Sequence, residues 1–193
     1  MSRFGTMIIA AIIFVACNNN SYTPKPHGYP RVYYPTKAYQ LFDTNAPFSF
    51  LYPTYAQVNR YNEDEVEKYW YNINYLPFNA TLHISYKSFE NRNQFDSLFD
   101  DTRKLAYKHT IKADEIEEIE VHNANTGTSG IIYDLKGNTA TNLNFYISDG
   151  KKHFMRGALY FNAKTTNDSI LPVFNFLRQD VIKMIESTNW KTD

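Results

Sequence analysis

The chain has 193 residues, with 20 basic residues against 20 acidic ones, so it carries no net charge at neutral pH. That balance disfavours nucleic acid and anionic lipid as partners of the whole molecule, and the length suits one well-buried domain. Aromatic residues make up 17% of the chain, including 16 Tyr and 14 Phe, a content common in exported, sheet-rich proteins and suggestive of tyrosine-lined surfaces.

The first 16 residues, MSRFGTMIIAAIIFVA, hold one charge at Arg3, then an apolar run from Met7 to Ala16, and small residues before the single cysteine, Cys17. This is the layout of a secretory signal peptide. The run is about half the roughly twenty residues needed to span a bilayer as a helix. Phe14, Val15 and Ala16 before Cys17 resemble the bacterial lipobox, in which the thiol receives lipid and the signal is cut just ahead of it. Several acyl chains on one sulfur give stable membrane attachment, whereas a single chain is marginal. Loss of Arg3 with the signal leaves 19 basic against 20 acidic residues.

Four of the eight prolines fall between Pro24 and Pro35, so residues 17–35 read as a lipid-anchored, extended tether. Tyr22, Tyr29, Tyr33 and Tyr34 interleave with those prolines and give more apolar surface than a spacer needs, so the segment is expected to dock and these tyrosines are candidate partner contacts. Residues 36–193 are expected to form a single α+β domain.

Within that domain PFSFLYP, YAQVNRY and KYWYNINY read as the first strands, followed by ATLHISYK with Leu82, Ile84 and Tyr86 on one side and Thr81, His83, Ser85 and Lys87 on the other. A helix follows from the spacing of Phe95, Leu98, Phe99, Thr102, Leu105 and Ala106, with Asn93 and Asp96 suited to cap it. The acidic run Asp114, Glu115, Glu117, Glu118 and Glu120 reads as a solvated helix-to-strand transition with Ile116, Ile119 and Val121 inward, and EEIEVHN as a strand. IIYDL and TNLNFYIS are strands joined across Lys136, Gly137 and Asn138, and Leu143, Phe145 and Ile147 point inward. Asp149 and Gly150 are expected to supply a tight positive-φ turn into KKHFMRGALYFN. Ile170, Val173, Phe174, Leu177, Val181, Met184 and Ile185 mark a closing helix, with Pro172 in its first turn. The result is seven or eight strands: a mainly antiparallel sheet with helices on its faces, analogous to the Mog1/PsbP-like sandwich.

Chemistry is sparse. No Gly-rich phosphate loop, G-x-S-x-G elbow, H-E-x-x-H pair or cysteine cluster occurs, so no catalytic, cofactor or metal residues are assigned. None of His27, His83, His109, His122 and His153 stands at i, i+4 from another on an expected helix. An envelope hydrolase assembled from His83, His153 and Asp134, or a module binding a hydrophobic or glycan ligand in a tyrosine-lined cleft, are the readings that compete with a structural role. Lys104, Lys108, His109 and Lys112 form a small basic patch that a helix carboxyl end explains equally well.

YTPKPHGYPRV after the lipobox, RKLAYKHTIKADEI in the middle and IIYDLKGNTATNLNFYISDGKKHFMRGALYFN late in the chain resemble the gliding motility lipoprotein GldD family, with His27 where that family's string is expected to carry Arg. The resemblance implies a membrane-anchored envelope lipoprotein required for gliding motility, an assembly or structural component linked to the type IX secretion apparatus, and not an enzyme. Its expected partners are the membrane, through lipid such as palmitate on Cys17, and other gliding and type IX secretion envelope proteins. No Asp follows Cys17 to signal inner-membrane retention and no acidic cluster follows to signal surface export, so the outer membrane is favoured, with the protein facing the periplasm.

Overall fold

The computed structural model describes residues 32–61, 68–108, 113–137, 139, 141–162 and 167–191. The signal segment, Cys17, Tyr22, His27, Tyr29, His109 and Lys112 lie outside the described residues.

Ten strands form two antiparallel sheets among the described residues: β1 Tyr39–Asp43, β2 Phe48–Pro53, β3 Gln57–Arg60, β4 Tyr71–Tyr75, β5 Ala80–Ser88, β6 Ala113–Asn123, β7 Thr128–Gly137, β8 Thr141–Ser148, β9 His153–Phe161 and β10 Asn189–Trp190. The larger sheet has the order β3-β4-β5-β9-β8-β7-β6 and the smaller β1-β2-β10. Two helices accompany them, α1 Arg92–Lys108 after β5 and α2 Asn167–Ser187 after β9. The mainly antiparallel α+β architecture expected from the sequence is what the chain adopts, with two strands more than the upper expectation. The additional strands include β1, where YQLFD alternates poorly, and β10, which is only two residues long.

Period-2 burial positions everything else. Leu82, Ile84, Leu143, Phe145, Ile147, Met155 and Leu159 are at most 2% exposed and share one face of the larger sheet. Onto this face pack Phe42, Phe48 and Phe50 of the smaller sheet and Val173, Leu177, Val181 and Met184 of α2. Each such side chain contributes about 1.5–3 kcal/mol through apolar burial. The opposite face carries α1, whose Phe95, Leu98, Phe99 and Ala106 pack on Tyr133, Leu135, Tyr146 and Phe154. Because both faces of β8 are covered, all eight of its residues are buried, not only the alternate three.

Three local expectations are corrected. Asn91, not Asn93 or Asp96, caps α1: its Oδ1 accepts the amide N–H of Gln94 at 3.1 Å while Gln94 Oε1 accepts that of Glu90 at 2.8 Å. Asp96 instead pairs with Arg92 one turn earlier at 2.9 Å. The acidic run is part of β6 rather than a transition out of a helix, paired with β7 over its length and irregular between Ala113 and Glu115. Ile116 turns to the α1 side while Ile119 and Val121 turn to the α2 side, so all three find cover on a sheet packed on both faces. Finally, residues 149–152 separate β8 from β9, and only Gly150 has positive φ, at 68°. Asp149 serves by its carboxylate, whose Oδ1 accepts the N–H groups of Lys151, Lys152 and His153 at 2.9–3.0 Å. Burial pushes its pKa up, but those three N–H bonds hold it below the usual value.

Candidate binding cleft

α1 follows β5 and crosses toward β7, β8 and the start of β9, because its apolar stripe matches the aromatic patch there. The part of the same face formed by β4, β5 and the far half of β9 is left without a helix. There the alternate residues that a half-exposed strand keeps polar, Asn72, His83, Ser85 and Arg156, line a cleft of about 360 Å³. Thr102, Leu105 and Ala106 of α1 wall one side and Tyr61 and Trp70 stand on another.

The polar groups are held in place. Arg156 Nε donates to Ser85 Oγ at 2.9 Å, and no carboxylate lies within ion-pair distance among the described residues. Burial lowers the Arg156 pKa, partly countered by the charge of Asp101 on α1, yet a guanidinium stays protonated at any physiological pH. His83 Nδ1 meets Asn72 Oδ1 at 2.7 Å, and its ring stands edge-on to Tyr160 at 5.3 Å. Burial depresses the His83 pKa, which keeps the imidazole neutral at neutral pH. Asn144 of β8 is 9% exposed, and its Nδ2 is a buried donor without a partner among the described residues. The rings of Tyr61 and Trp70 sit 5.9 Å apart. The arrangement offers one cation, several neutral hydrogen-bonding groups and two aromatic faces, which is equipment for binding.

The three groups considered for hydrolysis do not meet. His83 faces the cleft. Asp134 and His153 lie on the opposite, α2 side of the same sheet, as their registers with Glu117 and Ser88 require. Asp134 pairs with Arg178 of α2 at 2.6 Å, although burial outweighs the arginine and raises its pKa. His153 shares a 2.7 Å hydrogen bond with the Tyr86 hydroxyl and stacks on Trp190 at 5.2 Å. His122 is exposed and lies 3.1 Å from Ser129 Oγ. No group of three or more His, Cys, Asp or Glu converges among the described residues.

Of the candidate contact tyrosines, Tyr33 is 88% exposed, whereas Tyr34 packs its ring 4.8 Å from Phe176 and 6.1 Å from Phe78. Next to it Lys37 reaches Asp180 at 2.6 Å and the Phe176 carbonyl at 2.7 Å. Asp180 has no exposed surface and also accepts from the Tyr39 and Tyr55 hydroxyls. Burial and this carboxylate push the Tyr39 pKa up to about 12 and that of Tyr55 higher. Asp180 thus ties the entry of the domain to α2. Sequence reasoning missed it, and missed Arg156 and Asn144. The available signal was a charge inside an apolar pattern, Arg156 amid FMRGALYF and Asp180 beside Val181.

The fold and the cleft define a sheet-based α+β domain with a ligand-sized cleft of mixed polar and apolar lining and dispersed ionisable groups. The family model described as gliding motility lipoprotein GldD matches residues 19–190, so the chain belongs to that family. It is a gliding motility lipoprotein, hence a membrane-anchored protein of the cell envelope. Among the described residues no helix is long and apolar enough to cross a membrane. Among solved structures the chain is similar to the cyanobacterial PsbP (CyanoP) of Synechocystis sp. PCC 6803, seen in solution, at 11% identity and a TM-score of 0.45, over 76% of this chain and 92% of that one. No curated protein matches it.

Proposed function

We propose that this lipoprotein is anchored through lipid on Cys17 to the periplasmic side of the outer membrane and acts as an assembly or structural component of the gliding machinery, linked to the type IX secretion apparatus. It works by holding partners rather than by catalysis. The observation that supports this reading is the separation of His83 from Asp134 and His153 by the thickness of the sheet, with the latter two engaged by Arg178, Tyr86 and Trp190. Residues 17–35 form the tether, and the packing of Tyr34 on Phe78 and Phe176 supports docking of its end on the domain.

Tethering gives the mechanism its physical basis, because confinement to a membrane raises the effective concentration of membrane partners without any new contact. A palmitate analogue should therefore label the wild type and not Cys17→Ala. That variant should spread poorly on agar at normal expression and recover in part when overproduced. Alanine at His83, His109, Asp134 or His153 should leave spreading and adhesin secretion near normal wherever the protein accumulates. A stable, correctly located variant at one of these positions that abolishes motility would refute the non-catalytic reading. A second reading, a binding module, is favoured by the cleft and its unpartnered Asn144 donor.

A further inference from the structure

We propose that the cleft beside α1 binds an acidic sugar, whose carboxylate is held by the terminal nitrogens of Arg156 and whose ring lies against Trp70 and Tyr61. The proposal rests on the binding-module reading and supplies its ligand chemistry. Arg156 is half-buried and uses only its Nε, on Ser85, so its remaining donors have no protein acceptor among the described residues. A half-buried cation without a counterion is costly, and a planar guanidinium matches a carboxylate with two parallel bonds. Asn144 Nδ2 is the second donor left open. In register it lies between Tyr133 on β7 and Ala158 on β9.

The balance of groups selects the ligand. One cation beside Asn72, His83, Asn144 and Tyr160 suits a molecule with a single negative charge and several hydroxyls. The wall from α1 comes from its carboxyl-terminal half, where the helix dipole disfavours negative charge, and the double charge of a phosphate more than the single charge of a carboxylate. A peptide adding as a strand would need a free sheet edge, but β5 and β9 at the cleft floor are each paired on both sides. The aromatic pair offers apolar faces to the C–H side of a pyranose. The cavity, about 360 Å³, is at the small end of the range for ligand sites. Asp101 competes for Arg156 without reaching ion-pair distance.

The test is calorimetric titration of the full chain in detergent with D-galacturonic acid, D-galactose and phenylacetate. Galacturonate should bind at least about tenfold more tightly than either of the others, as expected for one charge-assisted contact joined to a sugar ring. Arg156→Gln should weaken galacturonate at least about tenfold and leave galactose unchanged. Asp101→Asn, on an exposed part of α1, should tighten galacturonate about threefold by removing the competing charge. That variant keeps the proposal testable if Arg156→Gln fails to fold, and no gain in it overturns the proposal. Galactose or phenylacetate binding as tightly as galacturonate overturns the acidic-sugar assignment while leaving the binding-module reading in place. Failure of all three to bind the folded wild type overturns both.

Discussion

The two faces of the seven-stranded sheet are built from the same alternating strands and end in opposite states. On the α2 face the second sheet and a 21-residue helix cover the strands, so aromatic and aliphatic side chains interlock and even a carboxylate, Asp180, is enclosed with a lysine and two tyrosines around it. On the other face the 17-residue α1 covers only one end, and the cleft at its border keeps Asn144 and Arg156 with donors that find no acceptor among the described residues. The contrast teaches that full cover favours internal partners for buried polar groups, as at Asp180, with Asp134 Oδ1 the exception on that face among the described residues, whereas partial cover can leave a donor for a ligand. Stability should therefore reside on the first face and recognition on the second.

Substitutions can break this division, beginning with the largest effect. Asp180→Ala should cost about 3 kcal/mol, because it leaves two phenols without their acceptor and Lys37 without its counterion in a partly dry site. Leu177→Ala, at a fully buried position, should cost a similar amount, about 3 kcal/mol, by leaving a cavity. Either should lower the melting temperature by about 6–12 °C in thermal unfolding. Gly157→Ala should cost about 1–3 kcal/mol, since its new methyl would sit 2.3 Å from the Phe145 ring within the packed α2 face. An undiminished melting temperature in either α2-face variant, Asp180→Ala or Leu177→Ala, would show that this face does not carry the stability assigned to it.

Smaller effects sharpen the comparison. Asp149→Ala removes the acceptor of three N–H groups and should cost about 1 kcal/mol near neutral pH after solvent screening is allowed for. The Asp149 pKa is depressed in the folded state, so its contribution is present above the ordinary carboxylate pKa and lost as pH falls through the folded value. The gap between wild type and variant should accordingly close in acid. On the cleft side, Leu105→Ala at a position 45% exposed should change stability by less than about 0.5 kcal/mol. Smallest of all is a pH effect at His83, whose pKa is lowered by burial from 6.5. The folded state then binds fewer protons than the unfolded one, so stability is complete above pH 6.5 and declines as pH falls below it. His83→Gln should flatten that part of the stability profile, and an unchanged slope in urea unfolding across it would place His83 in water.

Much of this was legible in the chain. Alternation at Leu82, Ile84 and Tyr86 and at Leu143, Phe145 and Ile147 names the inward residues, and the stripe from Val173 to Ile185 names the helix that covers them, because strand and helix periods are local properties of spacing. The long strings that resemble those of the gliding lipoproteins point to the family, which the match over residues 19–190 shows. What spacing cannot express is which face receives which cover. The strand conformation of the acidic run and the separation of His83 from Asp134 and His153 follow from strand pairing and register, and the full burial of β8 and the meeting of Lys37 with Asp180 across 143 positions follow from how the helices pack on the sheet. The cleft belongs to the same category: His83, Asn144 and Arg156 come from three strands, and they face a common space because register sets them on one face and α1 does not extend over the whole of it.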